Sequence, residues 1–404
     1  MRSSSASPPT HRSWTRSGTY TMTQDSTNIP IMSVILRTSA CAASSRPESM
    51  IDPIDLAATL VRMPSPSADA GGMRAVQQHV AGVLRDHVPE ARICTGGEDR
   101  PWTLISVGPD ARVPLFACHT DTVPVGDEKN WARDPHGGEI DASHLHGRGA
   151  VDMKGGLAAV TAALIRAAGE GAGGHLLLTA DEEIGSLGAQ RTGETIADLE
   201  LTGIIVPEAT SLGVRCAHRG AYWLRLIARG RAAHGSAPER GVNAVLRLAA
   251  ALGPALKTAP LRHDEVLGTE TASIGTFHGG DATNIVPASA TATLDQRTVT
   301  EPAPLLEHWR RIDGIDEVET ILDLAALRTD PHAPFVRSLP APVDRAPVSY
   351  FTDGSVLQGF RPDVPIVVWG PGDPTQMHAV DERLEIIQLT EATDLFEQVL
   401  LSRP

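Results

Sequence analysis

No stretch of about 18 uninterrupted apolar residues occurs in the 404-residue chain, which excludes a helix that spans a bilayer. Basic charge is also in short supply. Only 35 Lys and Arg stand against 49 Asp and Glu, giving a formal net charge of -14, and no basic run offsets it. That balance repels phosphate backbones, so nucleic acid is not an expected partner. Cysteine is scarce as well: Cys41, Cys94, Cys118 and Cys216 form no C-x-x-C pair and no disulfide-like spacing, which points to a reducing cytoplasm. After Met50 there is neither an internal repeat nor a low-complexity tract. What is present is a soluble globular composition, 41% hydrophobic and 21% charged. The chain is longer than a typical domain of about 100 to 200 residues, so two domains, or one domain with a large insertion, are expected.

Residues 1–49 are rich in Ser, Thr, Arg and Pro, carry only Asp25 and Glu48 as acids, and lack periodicity beyond a short run at 31–36. They read as a disordered segment. Met22, Met32 and Met50 leave open a downstream translation start, and Arg37 breaks the one apolar run that a signal peptide would need. Beyond Met50, helical spacing at 54–63, 73–87 and 155–169 alternates with short apolar strands at 103–107, 113–118, 175–179 and 203–206. This is the pattern of an α/β domain with a largely parallel sheet. From 221 to 322 the order becomes strand, helix, strand, strand, helix, strand, the ferredoxin-like βαββαβ unit. An apolar strand at 366–369 and an amphipathic helix at 389–401 then resume the first pattern. The expected division is therefore a catalytic domain at 50–213 and 328–404, interrupted by a smaller α+β lid at 214–327.

Metal-competent residues recur at the carboxyl ends of the expected strands, where open α/β sheets place their sites. The strand at 113–118 leads into His119, Thr120 and Asp121; that at 175–179 into Asp181, Glu182 and Glu183; that at 203–206 into Glu208; and that at 366–369 into a loop bearing His378. Asp152 stands at a helix start. Each alone has a plainer reading: a loop histidine, a solvated turn, a helix cap. Together, two histidines and several carboxylates suit a pair of divalent ions with mixed nitrogen and oxygen ligation, zinc first and manganese or cobalt feasible.

Four motifs, H-T-D-T-V-P at 119–124, G-R-G-A-V-D-M-K-G-G at 147–156, T-A-D-E-E at 179–183 and M-H-A-V-D-E at 377–382, resemble the zinc-dependent deacylases and exopeptidases. That family includes acetylornithine deacetylase, succinyl-diaminopimelate desuccinylase and the glutamate carboxypeptidases. The likeness covers nearly all of the chain from Met50 onward and implies a zinc-peptidase-like catalytic domain with a lid that also dimerises. It implies that His119 and Glu208 bind one ion, Glu183 and His378 the other, and that Asp152 bridges them, with Asp121 orienting the His119 imidazole. The segments 207–212, 217–220, 233–244 and 278–284 look closest to acetylornithine deacetylase. Two departures are Pro207 ahead of Glu208, where the family commonly has Gly, and Arg219, often Lys in that subgroup.

Amide hydrolysis needs an activated water, a proton shuttle and stabilisation of the oxyanion. The resemblance assigns the first to two divalent ions, the second to Glu182 as general base, and the third in part to His234 acting from a partner subunit. The reverse assignment, Glu182 as ligand with Glu183 turned away, is the alternative from the residues alone. Arg219, Asn284 and Arg297 are implied at the substrate, Arg297 for its carboxylate, although Arg297 can equally pair with Asp295 or Glu301. The expected activity is deacylation of an N-acyl-L-amino acid, N-acetyl-L-ornithine first, in arginine biosynthesis or a specialised route, by a homodimer joined through its lid. The alternatives are a dipeptidase or glutamate-type carboxypeptidase on the same metals, and a silent metal-stabilised binding protein.

Overall fold

The computed structural model describes residues 51–109 and 111–402, so the expected disordered segment 1–49 lies outside the described residues. The first helix, Pro53–Val61, starts where Asp52 accepts the Ile54 N–H and Pro53 fills a position that needs no donor. The second, Ala70–His87, begins three residues ahead of the expected start, because the Asp69 carboxylate caps Gly71 and Gly72. Its buried side chains, Met73, Val76, Gln77, Val80, Ala81 and Leu84, recur at helical spacing on one face.

Eight strands form one mixed sheet, in the order Arg92–Gly96, Trp102–Val107, Gly174–Thr179, Val113–His119, Leu201–Ala209, Ile366–Gly370, Val214–Arg215, Val343–Asp344. The four strands from Gly174–Thr179 to Ile366–Gly370 run parallel to one another. Arg92–Gly96 and Trp102–Val107 add antiparallel at one side, since the few residues between them can make a hairpin but not a crossover.

The apolar runs of the central strands are continuous because both faces of the sheet are covered. Phe116, Cys118, Leu176, Leu178, Ile205, Val367 and Trp369 face the helices Pro53–Val61, Ala70–His87, Gly155–Gly169 and Ile386–Leu401. Their neighbours Leu115, Ala117, Leu177, Ile204, Val206, Ile366 and Val368 face Ile196, Val348, Leu357 and Val364. Each buried Leu, Ile, Val or Phe among them stabilises the fold by about 1.5 to 3 kcal/mol, so the sheet is a stiff platform for whatever its ends carry.

The smaller lid domain has a four-stranded antiparallel sheet in the order Thr271–Gly279, Ser289–Thr298, Gly220–Arg229, Glu317–Leu324. Helices Ala244–Thr258 and Ala303–Arg310 cover one face, packing Leu248, Leu252 and Trp309 on Tyr222, Leu224 and Leu226. Numbered in chain order the strands lie 2-3-1-4, the ferredoxin-like arrangement. The chain enters and leaves this unit side by side, because Ala217–His218 pairs antiparallel with Leu327–Arg328. No helix among the described residues is long and apolar enough to cross a membrane.

Candidate metal centre

Parallel pairing brings the ligand candidates together. His119 ends its strand directly opposite Thr179, and the next residues turn sharply, with Asp181 in the left-handed region at φ 55. Glu208 lies near the end of Leu201–Ala209, the strand that pairs with Ile366–Gly370, and His378 follows in the loop beyond, itself at φ 62. Asp152 sits in the turn 150–154 that opens the helix Gly155–Gly169. The first turn of that helix approaches the strand closely: a Cβ on Gly156 would lie 2.2 Å from the Pro207 carbonyl oxygen, so glycine is needed there.

Asp152 presents one carboxylate oxygen to each histidine. Its Oδ1 is 3.1 Å from His119 Nε2 and its Oδ2 is 3.1 Å from His378 Nε2. His119 Nε2 also lies 3.0 Å from Glu208 Oε1, and His378 Nε2 lies 2.9 Å from Glu183 Oε2. Two triads result, His119–Asp152–Glu208 and Asp152–Glu183–His378, sharing Asp152. The two differ in setting: the His119 and Glu208 side chains are 1% and 3% exposed, whereas that of His378 is 51% exposed.

The electrostatics fit divalent cations. Glu183 Oε1, Glu208 Oε2 and Glu182 Oε1 are buried acceptors without a hydrogen-bond partner. Burial and the charge of Asp152 push the Glu208 carboxyl up to about 7. Burial pushes Glu182 well above its ordinary value against the pull of His119, with Asp353, Glu183 and Glu208 adding to the rise. Hydrogen bonds to Asp152 and Glu183 carry the His378 imidazole up to about 10. Acidic oxygens this crowded hold protons unless a cation replaces them, and a carboxylate facing two nitrogens is the geometry of a shared ligand. The donor set therefore fits two ions.

Asp121 serves this cluster from behind. His119 Nδ1 meets its backbone carbonyl at 3.0 Å and its carboxylate at 3.5 Å. The carboxylate instead accepts the N–H groups of Glu182 and Glu183 at 3.0 and 3.2 Å and the Ser67 hydroxyl at 2.8 Å. One residue thus fixes both an imidazole and the turn that carries the two glutamates.

The lid residues stand apart in their contacts. His234 is exposed on its loop, where Nδ1 meets the Ser236 hydroxyl at 2.7 Å. Asn284 is exposed and accepts the Gly235 N–H through its carbonyl at 2.7 Å. Arg219 donates to the Thr269 carbonyl at 2.8 Å. Arg297 pairs with Asp295 at 3.0 Å and lies over the Phe351 ring, the pairing that its neighbours in sequence allow. Three buried residues were not singled out by the sequence. Asp353 accepts the Thr179 hydroxyl at 2.5 Å, and Arg148 donates to Glu382 at 2.7 Å. Glu382 closes a motif that already holds His378, the one signal that could have marked it.

The chain matches the model of Peptidase family M20/M25/M40 over residues 115–402. It belongs to that family. The succinyl-diaminopimelate desuccinylase of Methylobacterium sp. (strain 4-46) is 31% identical over 380 residues, covering 86% of this chain and 95% of that protein. The enzyme of the same name from Rhodospirillum centenum is 33% identical over 381 residues, covering 86% and 96%. Among solved structures, the M20 family metallo-carboxypeptidase Sso-CP2 from Sulfolobus solfataricus has the same fold, with a TM-score of 0.73 at 19% identity over 87% of this chain and 99% of that one. The YXEP protein of Bacillus subtilis, described as a dinuclear metal binding peptidase, superposes with a TM-score of 0.61 at 15% identity, covering 86% and 96%. The M20 chain described here is thus a metallohydrolase whose two candidate ligand groups meet at Asp152.

Proposed function

We propose that this M20 hydrolase cleaves the amide bond of an N-acyl-L-amino acid, with N-acetyl-L-ornithine as the leading substrate. The observation that carries the reading is the Asp152 carboxylate facing His119 and His378 at 3.1 Å each, beside a buried Glu182 whose Oε1 has no partner. His119 and Glu208 would hold one ion, Glu183 and His378 the other, and Asp152 both; zinc suits the mixed donors, with cobalt or manganese as substitutes. When bound, the ions supply Lewis acidity, drawing the pKa of a water toward about 7 and stabilising charge on the scissile carbonyl.

The protein's own groups do the rest. Glu182 Oε1 accepts the proton of the attacking water and returns it to the departing amine nitrogen. Burial raises its affinity for a proton against the pull of His119, which suits it to take up that proton and pass it on. Asp121 holds the Glu182 N–H, so the base stays aimed while it changes charge.

The acyl group has two supported identities. The motifs at 217–220, 233–244 and 278–284 favour acetyl on ornithine, and with it arginine biosynthesis. The desuccinylase name borne by relatives at about a third identity favours succinyl. Release of free amine by zinc-loaded protein from N-acetyl amino acids, N-succinyl amino acids and dipeptides decides between them. Acyl release expected from the first set alone supports the ornithine reading, and cleavage of dipeptides alone overturns amide deacylation.

The reading extends to the assembly. The division 50–213, 214–327 and 328–404 makes the middle unit a lid, and the active unit is a homodimer joined through it, with His234 donating to the oxyanion in the neighbouring subunit. An exposed His234, bonded within its own loop, supports this, as do Arg219, Asn284 and Arg297 on the same unit for the substrate. Mixing Glu182→Gln with His234→Ala chains is expected to restore part of the activity after subunit exchange. Mixed dimers with no recovered turnover would remove the role of His234 in trans. Free Cys94, Cys118 and Cys216 support a cytoplasmic setting.

A further inference from the structure

Glu382 is fully buried, yet it belongs to neither triad. Its two oxygens are taken by four donors from one short segment. Oε1 accepts the N–H groups of Val151 at 2.8 Å and Asp152 at 3.2 Å, and Oε2 accepts Gly149 N–H at 3.1 Å and Arg148 Nη1 at 2.7 Å. Arg148, 3% exposed, reaches the other way as well: its Nη2 lies 3.5 Å from the His378 carbonyl oxygen. The Gly147 N–H donates to the Glu382 carbonyl at 2.9 Å, so the two segments are joined through backbone and side chain alike.

These bonds fall on the metal ligands themselves. One donor is the peptide N–H of Asp152, and one acceptor is the carbonyl of His378. His119 needs no such help, because strand pairing and the Asp121 carbonyl fix it. His378 sits on a loop in the left-handed region, and among the described residues its Nε2 meets the other candidate ligands Asp152 and Glu183. A buried ion pair is costly to desolvate and is weak evidence of stability, so its placement here needs another reason.

We propose that Arg148 and Glu382 form a positioning clamp, holding segments 149–152 and 378–382 in one register so that Asp152 can face His119 and His378 together. The clamp rests on the two-ion reading of the centre. Glu382 acts on both ion sites, since it holds Asp152, which both share. Arg148 acts chiefly on the site completed by His378.

Calorimetric titration of the metal-free protein with zinc, alongside melting of the metal-free form, tests this. Arg148→Lys keeps the charge but loses the fork, and is expected to weaken the second zinc step by about tenfold or more while the first stays within about threefold. Glu382→Gln offers one acceptor oxygen in place of two, and is expected to weaken both steps by about 10- to 100-fold. Metal-free Arg148→Lys is expected to melt within a few degrees of wild type, which a merely structural role would not allow beside so large a change in zinc affinity. Wild-type zinc affinities in both variants overturn the clamp and leave the metal centre standing. A wild-type chain that takes up no zinc overturns the centre and the clamp with it. Should Glu382→Gln fail to fold, Arg148→Lys decides alone: equal weakening of the two steps, or none, overturns the proposal.

Discussion

The two halves of the centre are built differently. The His119 half stands on strand ends, with the His119 and Glu208 side chains 1% and 3% exposed, and its imidazole is fixed by sheet pairing and a backbone carbonyl. The His378 half hangs on a loop, with the imidazole 51% exposed and two residues of that loop, His378 and Asp381, at positive φ. A stiff sheet prebuilds the first half, whereas hydrogen bonds from the distant segment 147–152 hold the His378 loop in place. Asp152 is common to both, and beyond it each half has two candidate ligands of its own, His119 with Glu208 and Glu183 with His378.

The difference can be broken outright at the shared residue. Asp152→Ala removes the oxygen that each histidine faces, and is expected to abolish binding of both ions and all measurable turnover; metal analysis showing two ions per chain would contradict the shared role. Glu182→Gln sharpens the comparison by leaving both halves intact. It is expected to keep both ions and lower kcat by about 100-fold or more, measured on whichever acyl amino acid is turned over, and a near-normal kcat removes the base. Ser67→Ala is the mildest probe. It deletes one of three side-chain and backbone bonds to the Asp121 carboxylate, and is expected to cost a few-fold in kcat with zinc affinity unchanged, as read by parallel kinetics and titration.

All five candidate ligands stand out in the sequence, four of them after apolar strands and Asp152 at a helix start. Apolar runs such as 113–118 stand out because both faces of the sheet are buried, and a polar residue immediately after such a run falls at the carboxyl end of a strand. His119 follows from that rule directly, Glu208 and Glu183 within two to four positions of their runs, and the βαββαβ order of the lid from its changes of period. The antiparallel strand Arg92–Gly96 was not anticipated, since its residues are largely exposed and carry no apolar run. Glu382 escaped for a related reason: its partners are mostly backbone N–H groups, which leave no side-chain pattern to read. Asp353 is likewise silent, as it meets the Thr179 hydroxyl across 174 positions of chain. Arg297 showed the limit from the other side, its pairing with Asp295 being visible in sequence while its proposed part in substrate recognition is not.

Zinc titration of the metal-free chain, wild type beside His378→Ala, tests the shared two-ion centre most directly. Wild type is expected to bind two ions per chain in unequal steps, and His378→Ala to keep the tighter step and lose the weaker, because His119, Asp152 and Glu208 remain. One ion per chain in the wild type, or two undiminished steps in His378→Ala, would contradict it.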